Sequence, residues 1–311
     1  MESGESGESA DFPASLTSGA SGDPSSSGNV AAIAACPVGQ WCLETPPVPA
    51  TTLLHDVWAI SAADVLAVGD NGTILRRTNN DWTVMTSGTT RNLRGVWAAS
   101  ATDAWAVGVS GTILRFDGTA WSVVTGVTSA DIDAVWGSGP NDVWLVGGGT
   151  VQHWNGSAFS SMGFGGTLLA ISGTGPRDVW VTGENANLKH FTGTSWTTVN
   201  PGAGTSTFFS VLALTATDVW AADFNPGKEA MHMVGTRWTA QRTSGAVFQG
   251  MAAFSANDVW GAGGNRVGNW NGSTWTVTQP FGSNASLWAV TTATSEAWIV
   301  GSNALIGHRR F

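Results

Sequence analysis

Short apolar runs, separated by polar and glycine-rich turns, recur along the chain with a period of 36 to 40 residues. One repeat consists of Leu93–Ala98, Asp103–Gly108, Gly111–Phe116 and Trp121–Val124. Runs this short, bounded by Gly, Asn and Asp, are typical of β-strands. No window combines a helical period with capping signals. The pattern therefore predicts four strands in each repeat.

Two markers recur seven times each. An acidic residue opens the second strand of every repeat: Asp64, Asp103, Asp142, Asp178, Asp218, Asp258 and Glu296. An aromatic residue opens the fourth strand: Trp41, Trp82, Trp121, Phe159, Trp196, Trp238 and Trp275. The aromatic series begins before the first acidic residue and ends before the last. This offset predicts an all-β, seven-bladed β-propeller of four-stranded blades, whose last blade is completed by the N-terminal strand Gly39–Leu43.

Composition divides the chain into two parts. Residues 1–35 are rich in Ser, Gly and Glu, which predicts a disordered tail or tether ahead of a propeller at 36–311. Residues 1–52 contain no Lys or Arg, so much of the net charge of −9 lies there and the ring is nearly neutral. Without a basic stripe, nucleic acid is not an expected partner. We expect a monomer.

The apolar runs are too short to span a membrane, so no transmembrane segment is expected. The first residues lack the basic and apolar regions of a signal peptide. Ile33-Ala34-Ala35-Cys36 is similar to a lipoprotein cleavage site but has an acidic lead, which favours a chance match. A signal peptide lost through a wrongly assigned start codon stays an alternative.

Cys36 and Cys42 flank the predicted closing strand. A disulfide between them is favoured and would indicate an oxidising compartment. Two free buried thiols are the alternative, since two cysteines are too few for a zinc site.

The repeated side chains favour packing over chemistry. Leu66 replaces tryptophan once in the second-strand row, which argues against sugar stacking; the row's other members are Trp105, Trp144, Trp180, Trp220, Trp260 and Trp298. Carboxylates spread around a ring cannot converge, so each is expected to accept hydrogen bonds from the backbone of its own turn. Four histidines occupy one position on separate blades, too far apart to share a metal ion: His153, His190, His232 and His308. No metal or cofactor is expected.

Blade five departs from the chain's own rule. Its second strand ends in Asp223, where the other six repeats have glycine, and Asp223 opens an unusual eight-residue stretch, residues 223–230. Binding residues concentrate on variable loops over a rigid frame. The predicted binding site comprises Asp223, Phe224, Lys228, Glu229, Glu184, Arg91 and Phe164, with Phe248 and Phe281 on neighbouring loops. The alternative is a tolerated loop insertion.

The segments Val57-Trp58-Ala59, Asp64-Val65-Leu66-Ala67-Val68-Gly69 and Gly72-Thr73-Ile74-Leu75 resemble the repeat of secreted or lipid-anchored bacterial propeller proteins of the myxobacterial type. The segment from Cys36 to Cys42 resembles the Cys-rich entry of that family. The resemblance covers about residues 36–311 and implies a cell-envelope or extracellular location, without an activity. Similarity to WD-repeat and sialidase-type (BNR) propellers is more distant and concerns architecture.

The sequence predicts a non-catalytic binding propeller that recognises a protein or a glycan through variable loops on one face. A glycoside-processing hydrolase of propeller type is one alternative. A sialidase would need a nucleophilic tyrosine, and the chain has none. A structural or assembly scaffold is the other alternative.

Overall fold

The structure is a computed structural model that describes residues 36–185, 187–202, 204, 206–223 and 230–311. The predicted tail lies outside these ranges. In the described residues the chain forms 28 strands, and two 3₁₀ turns at Asp70–Gly72 and Val109–Gly111. The strands form seven four-stranded antiparallel sheets, which confirms the predicted seven-bladed propeller.

The first strand of the chain is β1 (Trp41–Glu44). Blade one comprises β2 (Leu54–Ser61), β3 (Asp64–Gly69), β4 (Ile74–Thr78) and β5 (Asp81–Met85). Blade two comprises β6 (Leu93–Ser100), β7 (Asp103–Gly108), β8 (Thr112–Phe116) and β9 (Trp121–Val123). Blade three comprises β10 (Ala134–Gly139), β11 (Asp142–Gly147), β12 (Thr150–Trp154) and β13 (Phe159–Gly163). Blades four and five comprise β14 (Leu168–Gly175), β15 (Asp178–Gly183), β16 (Leu188–Phe191), β17 (Trp196–Thr198); and β18 (Phe208–Thr215), β19 (Asp218–Asp223), β20 (Ala230–Val234), β21 (Arg237–Gln241). Blades six and seven comprise β22 (Gly250–Ser255), β23 (Asp258–Gly263), β24 (Arg266–Trp270), β25 (Trp275–Thr278); and β26 (Leu287–Ala293), β27 (Glu296–Gly301), β28 (Ile306–Arg310). Within each blade we name the strands a to d, from the centre of the ring to its rim.

The closing strand lies where the offset of the two markers predicts it. β1 pairs antiparallel with β28, with Trp41 opposite Arg309 and Glu44 opposite Ile306, and it thereby forms strand d of blade seven. The predicted disulfide joins Cys36 to Cys42, so the segment that leads into the strand is tied to the strand itself.

Glu44 at the end of β1 links blade seven to blade one. Its carboxylate accepts hydrogen bonds from Arg77 Nε at 3.1 Å and Trp82 Nε1 at 2.7 Å, both in blade one. On its other side it lies 3.3 Å from His308 Nδ1 of blade seven. Burial raises the pKa of Glu44, but the hydrogen bonds from His308, Arg77 and Trp82 outweigh burial and leave it below its usual value. The carboxylate is therefore held in its charged form at the seam of the ring.

The tryptophan row of strand b is buried between blades, as predicted. Trp144 and Trp220 are 2% and 0% exposed. Each member meets the aromatic residue that opens strand d of the next blade at ring-centroid distances of 5.4–6.2 Å; the pairs are Trp105–Phe159, Trp144–Trp196, Trp180–Trp238, Trp220–Trp275, Trp260–Trp41 and Trp298–Trp82. At the boundary between blades one and two, Leu66 and Trp121 share one apolar cluster. The two aromatic series of the sequence are thus the two halves of one contact repeated around the ring.

The expectation for the acidic row was wrong in one respect. In the described residues the donors to these carboxylates are side chains, mainly of strand c and also of strands a and b, and not the backbone of the turn. Asp142 accepts hydrogen bonds from His153 Nε2 at 2.7 Å, Ser138 Oγ at 2.6 Å and Trp144 Nε1 at 3.1 Å. In blade one, Arg76 Nη2 donates to Asp64 at 2.7 Å from the position that histidine occupies in blade three. Each acid therefore orients a strand-c side chain, and His153 stacks on Trp144 with ring centroids 3.7 Å apart.

Deleting residues 36–45 should lower the free energy of unfolding by on the order of 5 kcal/mol, because it removes an interblade aromatic contact, the Glu44 seam and a disulfide. It should also expose the edge of β28 and promote aggregation. Thermal unfolding monitored by circular dichroism measures the change, with a deletion of residues 1–30 as control. Thermal unfolding identical to that of the full chain would contradict ring closure by β1.

Replacing Trp220 tests the interblade contact. Trp220→Ala should lower the free energy of unfolding by about 3–5 kcal/mol, because it leaves a cavity against Trp275. Trp220→Leu should cost less, because Leu66 fills the equivalent position in blade one. Urea denaturation of both variants measures the difference; equal losses would show that side-chain volume at this boundary does not matter.

Candidate functional site

Most blades contain a β-bulge near the start of strand a. In β2 the pairing with β3 passes from Leu54 to Asp56 and skips His55. The same shift skips Arg94, Leu169, Phe209 and Trp288 in blades two, four, five and seven. A bulge places an extra residue outside the ladder and re-aims its side chain.

These extra residues surround one end of the central channel. The channel has a volume of about 530 Å³ and is lined by the strand-a segments of all seven blades. We call the seven equivalent positions the mouth ring; it consists of His55, Arg94, Asp133, Leu169, Phe209, Gln249 and Trp288.

The mouth ring lies on the face that carries the b–c loops and the crossings between blades. His55 Nε2 donates to Asp70 Oδ1 at 2.8 Å, and Asp70 begins the b–c loop of blade one. In blade two the backbone N–H of Ser110, in the b–c loop, donates to Asp131 in the next crossing at 2.8 Å. The variable loops and the channel mouth therefore form one continuous surface.

The mouth ring is polar on one side. Arg94 Nη1 lies 2.6 Å from Asp133 and 3.1 Å from Asp131, so two carboxylates share one guanidinium group. Burial raises the pKa of Asp133, and the nearby Arg94 only partly offsets that effect. On the other side, Leu169 and Phe209 contribute apolar surface from blades four and five.

The next position along strand a after the mouth ring holds a small side chain in every blade but one. Six blades have a small side chain there: Gly95, Ala134, Ala170, Ser210, Gly250 and Ala289. Blade one has Asp56. Its two carboxylate oxygens accept hydrogen bonds from the backbone N–H groups of Val57 and Val96, each at 2.9 Å, and the second bond crosses to blade two.

The pKa of Asp56 is raised to about 7, because burial among the inner strands disfavours its charged form. The hydrogen bonds from Val96 and Val57 oppose this shift but do not cancel it. Near neutral pH the group can therefore take up or release a proton at the wall of the channel.

Six blades have glycine at the end of strand b for a steric reason. A Cβ at Gly69 or Gly108 would overlap the carbonyl oxygen of Leu53 or Asn92, which lies just ahead of strand a. Blade five is the exception, because Asp223 carries a Cβ at this position. Asp223 is 4% exposed and pairs with Phe208, next to Phe209 of the mouth ring. Phe224, Lys228 and Glu229 lie outside the described residues.

The other predicted site residues are not brought together. Arg91 is exposed at the boundary of blades one and two, across the ring from blade five, where its Nη1 donates to the Ser110 carbonyl at 2.7 Å. Glu184 is exposed in the b–c loop of blade four. Phe164 packs against Trp196 with ring centroids 5.2 Å apart, and Lys189 Nζ lies 5.4 Å from the centre of its ring.

The expectation that Phe248 belongs to a binding surface was wrong, and Phe281 is only partly exposed. Phe248 is 1% exposed and occupies the space over Gly261 and Gly268, where a Cβ would overlap its ring. Phe281 fills the equivalent space over Gly307 and contacts Trp41 at 5.7 Å. Both rings complete the interblade packing where strand c has glycine instead of a larger residue.

The sequence analysis did not predict the mouth ring as a site. A usable signal was present. When the seven repeats are aligned, the mouth-ring position holds seven different residue types, whereas the position before it is always large and apolar and the position after it is nearly always small. The charged Asp56 among Gly, Ala and Ser was a second signal of the same kind.

The fold defines the chain as a seven-bladed β-propeller, distantly similar to WD-repeat domains. Similar solved structures include YCF48 bound to a D1 peptide, with a TM-score of 0.72 at 15% identity over 89% of this chain and 98% of that one. Virginiamycin B lyase from Staphylococcus aureus with quinupristin matches with a TM-score of 0.74 at 11% identity over 88% and 100% of the two chains. The WD40 propeller domain of Doa1 matches with a TM-score of 0.70 at 14% identity over 87% and 95%.

No protein-family model matches the sequence. No curated protein matches it either. At these identities the structural matches establish the fold alone. In the described part of the chain there is no helix long and apolar enough to cross a membrane.

The raised pKa of Asp56 predicts a specific effect of pH on stability. The unfolded chain releases this proton above its ordinary pKa of 3.8, whereas the folded protein retains it up to about pH 7. The folded state binds more protons in this window, so the contribution of Asp56 to stability is lost as pH rises from about 4 to 7. Asp56→Ala should therefore gain stability relative to the unaltered chain across that range.

Urea unfolding at several pH values measures this difference. Asp81→Ala, which removes an exposed carboxyl at the start of β5, serves as the control and should show no such trend. A stability difference between Asp56→Ala and the unaltered chain that stays constant from pH 4 to 7 would contradict the raised pKa.

Proposed function

We propose that this protein is a non-catalytic binding propeller, located outside the cell or at the cell envelope, that recognises a protein partner through the channel mouth and the surrounding loops. The observation that carries the proposal is the composition of the mouth ring: seven topologically equivalent positions hold seven different residue types. Such asymmetry on a repeated frame supports a single surface specialised for one partner.

The columns beside the mouth ring make this contrast clear. The preceding strand-a column contains only large apolar residues: Leu54, Leu93, Ile132, Leu168, Phe208, Phe248 and Leu287. These side chains are 0–2% exposed and pack between blades. The frame therefore tolerates little change there, whereas the mouth ring varies freely in charge, size and aromaticity. Variable residues on a rigid frame are the usual carriers of recognition.

A protein partner fits this surface better than a glycan bound in repeated grooves. A repeated lectin site would need exposed aromatic platforms in each blade, but the strand-b tryptophans are 0–5% exposed. The mouth ring instead offers an arginine, a histidine, a carboxylate, an amide and large apolar side chains on one face. This mixture of charged and aromatic groups suits a protein–protein contact.

Ligand binding by similar folds lends general support. Among the similar structures, YCF48 is described with a bound D1 peptide and virginiamycin B lyase with quinupristin. The propeller frame can thus present a ligand site. The Cys36–Cys42 disulfide and the resemblance to secreted or lipid-anchored bacterial propellers support the proposed location.

Blade five remains part of the proposed surface. Asp223 ends β19 beside the mouth ring, so the loop that follows begins on the same face. We propose that Phe224, Lys228 and Glu229 add contacts to those of the mouth ring, with Glu184 and Arg91 farther out on the same face.

Affinity capture with the full chain tests the proposal. Envelope and secreted proteins of the source organism would be captured on immobilised protein, with the triple variant Arg94→Ala, Phe209→Ala, Trp288→Ala in parallel. Arg237→Ala is the matched control, because Arg237 is an exposed arginine at the start of strand d of blade five, on the opposite face. We expect one protein to be retained by the unaltered chain and the control but lost from the mouth variant, because the variant removes the charged and aromatic anchors.

Retention of the same partner by a folded mouth variant would contradict the proposed surface. Saturable binding to a polysaccharide array, with no captured protein, would contradict the proposed class of partner. A second variant, Phe224→Ala, Lys228→Ala, Glu229→Ala, tests the blade-five contribution and should weaken the interaction. Undiminished binding by that variant would remove blade five from the surface.

A further inference from the structure

We propose that the central channel receives a basic side chain, lysine or arginine, from the bound partner, with Asp56 as its counter-ion. This inference rests on the proposed function, since the side chain belongs to the protein that binds the mouth. It adds the chemistry of the group that enters the channel and the residue that meets it.

The channel has room for a side chain just below the mouth ring. At the level of Asp56, the other blades contribute Gly, Ala or Ser, so little protein projects inward there. The cavity of about 530 Å³ extends along the inner strands, past Val57, Ile171, Val211 and Met251. Successive residues of a strand are about 3.3 Å apart, so a lysine or arginine side chain that passes the mouth ring can reach Asp56.

The walls of the channel suit the stem of such a side chain. Ala134, Ala170, Val211 and Ala289 line it with aliphatic groups. Lysine and arginine bury their methylene stems against apolar surface while their charged ends find a polar partner. A channel with aliphatic walls and one carboxylate matches this combination.

Asp56 has no positively charged partner among the described residues. Its hydrogen-bond donors are the backbone N–H groups of Val57 and Val96, which are neutral. In the part of the chain that the structure describes, no basic side chain forms an ion pair with it. Each carboxylate oxygen can accept more than one hydrogen bond, so both keep capacity for a ligand. A cation in the channel would stabilise the charged carboxylate that burial disfavours.

The mouth ring would attract the same cation. Asp131 and Asp133 share the single guanidinium group of Arg94, and Asp70 is paired with His55. Together with Asp56, four carboxylates stand against two arginines, Arg94 and the more distant Arg91, and one histidine on this side of the ring. The excess negative charge draws a basic group toward the channel and repels an acidic one.

Short peptides test the inference independently of the natural partner. The probes are acetyl-Gly-Lys-Gly-amide and acetyl-Gly-Arg-Gly-amide, with acetyl-Gly-Gln-Gly-amide as the neutral control. Each is titrated into the ¹⁵N-labelled full chain, and the amide resonances of Val57 and Val96 report on Asp56 directly. We expect saturable shifts of these two resonances with the basic peptides, and affinity for the neutral peptide roughly ten- to a hundredfold weaker.

Two variants keep the test decisive. Asp56→Ala reproduces the residue found in blades three, four and seven, so the frame should accept it; Asp56→Asn keeps the size of the side chain without its charge. Both should bind the basic peptides roughly ten- to a hundredfold more weakly than the unaltered chain. Asp81→Ala, an exposed carboxyl on the rim, should bind them unchanged.

The outcomes separate this inference from the proposed function. Equal binding of basic and neutral peptides, absence of saturable shifts at Val57 and Val96, or full affinity in a folded Asp56 variant would overturn it. Partner capture that depends on the mouth ring, combined with any of these results, would leave the proposed function standing alone. Basic-peptide binding with capture that ignores the mouth ring would contradict the proposed function instead.

Discussion

The contact between a strand-b aromatic residue and the strand-d aromatic residue of the next blade is the interaction on which the rest of the structure depends. It recurs at six blade boundaries, from Trp105–Phe159 to Trp298–Trp82, and Leu66 with Trp121 takes its place at the seventh. Each contact needs one aromatic side chain from each of two neighbouring blades. All seven boundaries can therefore form their contacts only when the propeller is closed. Trp41 supplies the aromatic side chain that packs against Trp260 of blade six. This contact explains why the chain carries a strand-d aromatic residue ahead of the first blade.

The closed ring also explains how a symmetric frame can carry an asymmetric surface. Buried strand-a residues such as Leu54 and Val57 are constrained by neighbours on both sides. The bulge residue His55, which follows Leu54, lies outside the strand pairing and at the channel mouth. Its identity can therefore differ from blade to blade while the strand pairing stays the same. Recognition can change at the mouth while the interblade contacts stay the same.

Much of the fold could be predicted from the sequence, because its repeats report directly on strand pairing and on ring closure. The role of the tryptophans was also predictable, since Leu66 replaces one of them. The partners of the acidic row were not, because His153 and Arg76 lie one strand away and local turn chemistry suggested nearer donors. Phe248 misled for a related reason: its loop position suggested exposure, but Gly261 and Gly268 leave the space that buries it.

The site was harder to predict than the fold. Asp223 was identified as exceptional, yet its burial beside Phe208 comes from the pairing of β19 with β18 in the folded blade. The mouth ring depends on bulges in five of the seven blades and on the shared axis of the ring, and neither the bulges nor the axis can be seen in one repeat. The raised pKa of Asp56 comes from burial in the folded ring, which a single repeat does not show.

Residue-resolved amide hydrogen exchange of the full chain tests the central claim, that β1 closes the ring through these interblade contacts. If the ring is closed, the amides that join β1 to β28 should exchange as slowly as those that join β4 to β5, because both pairs form the rim of a complete blade. Exchange in β1 several orders of magnitude faster than in β5, with the rest of blade seven protected, would contradict the account.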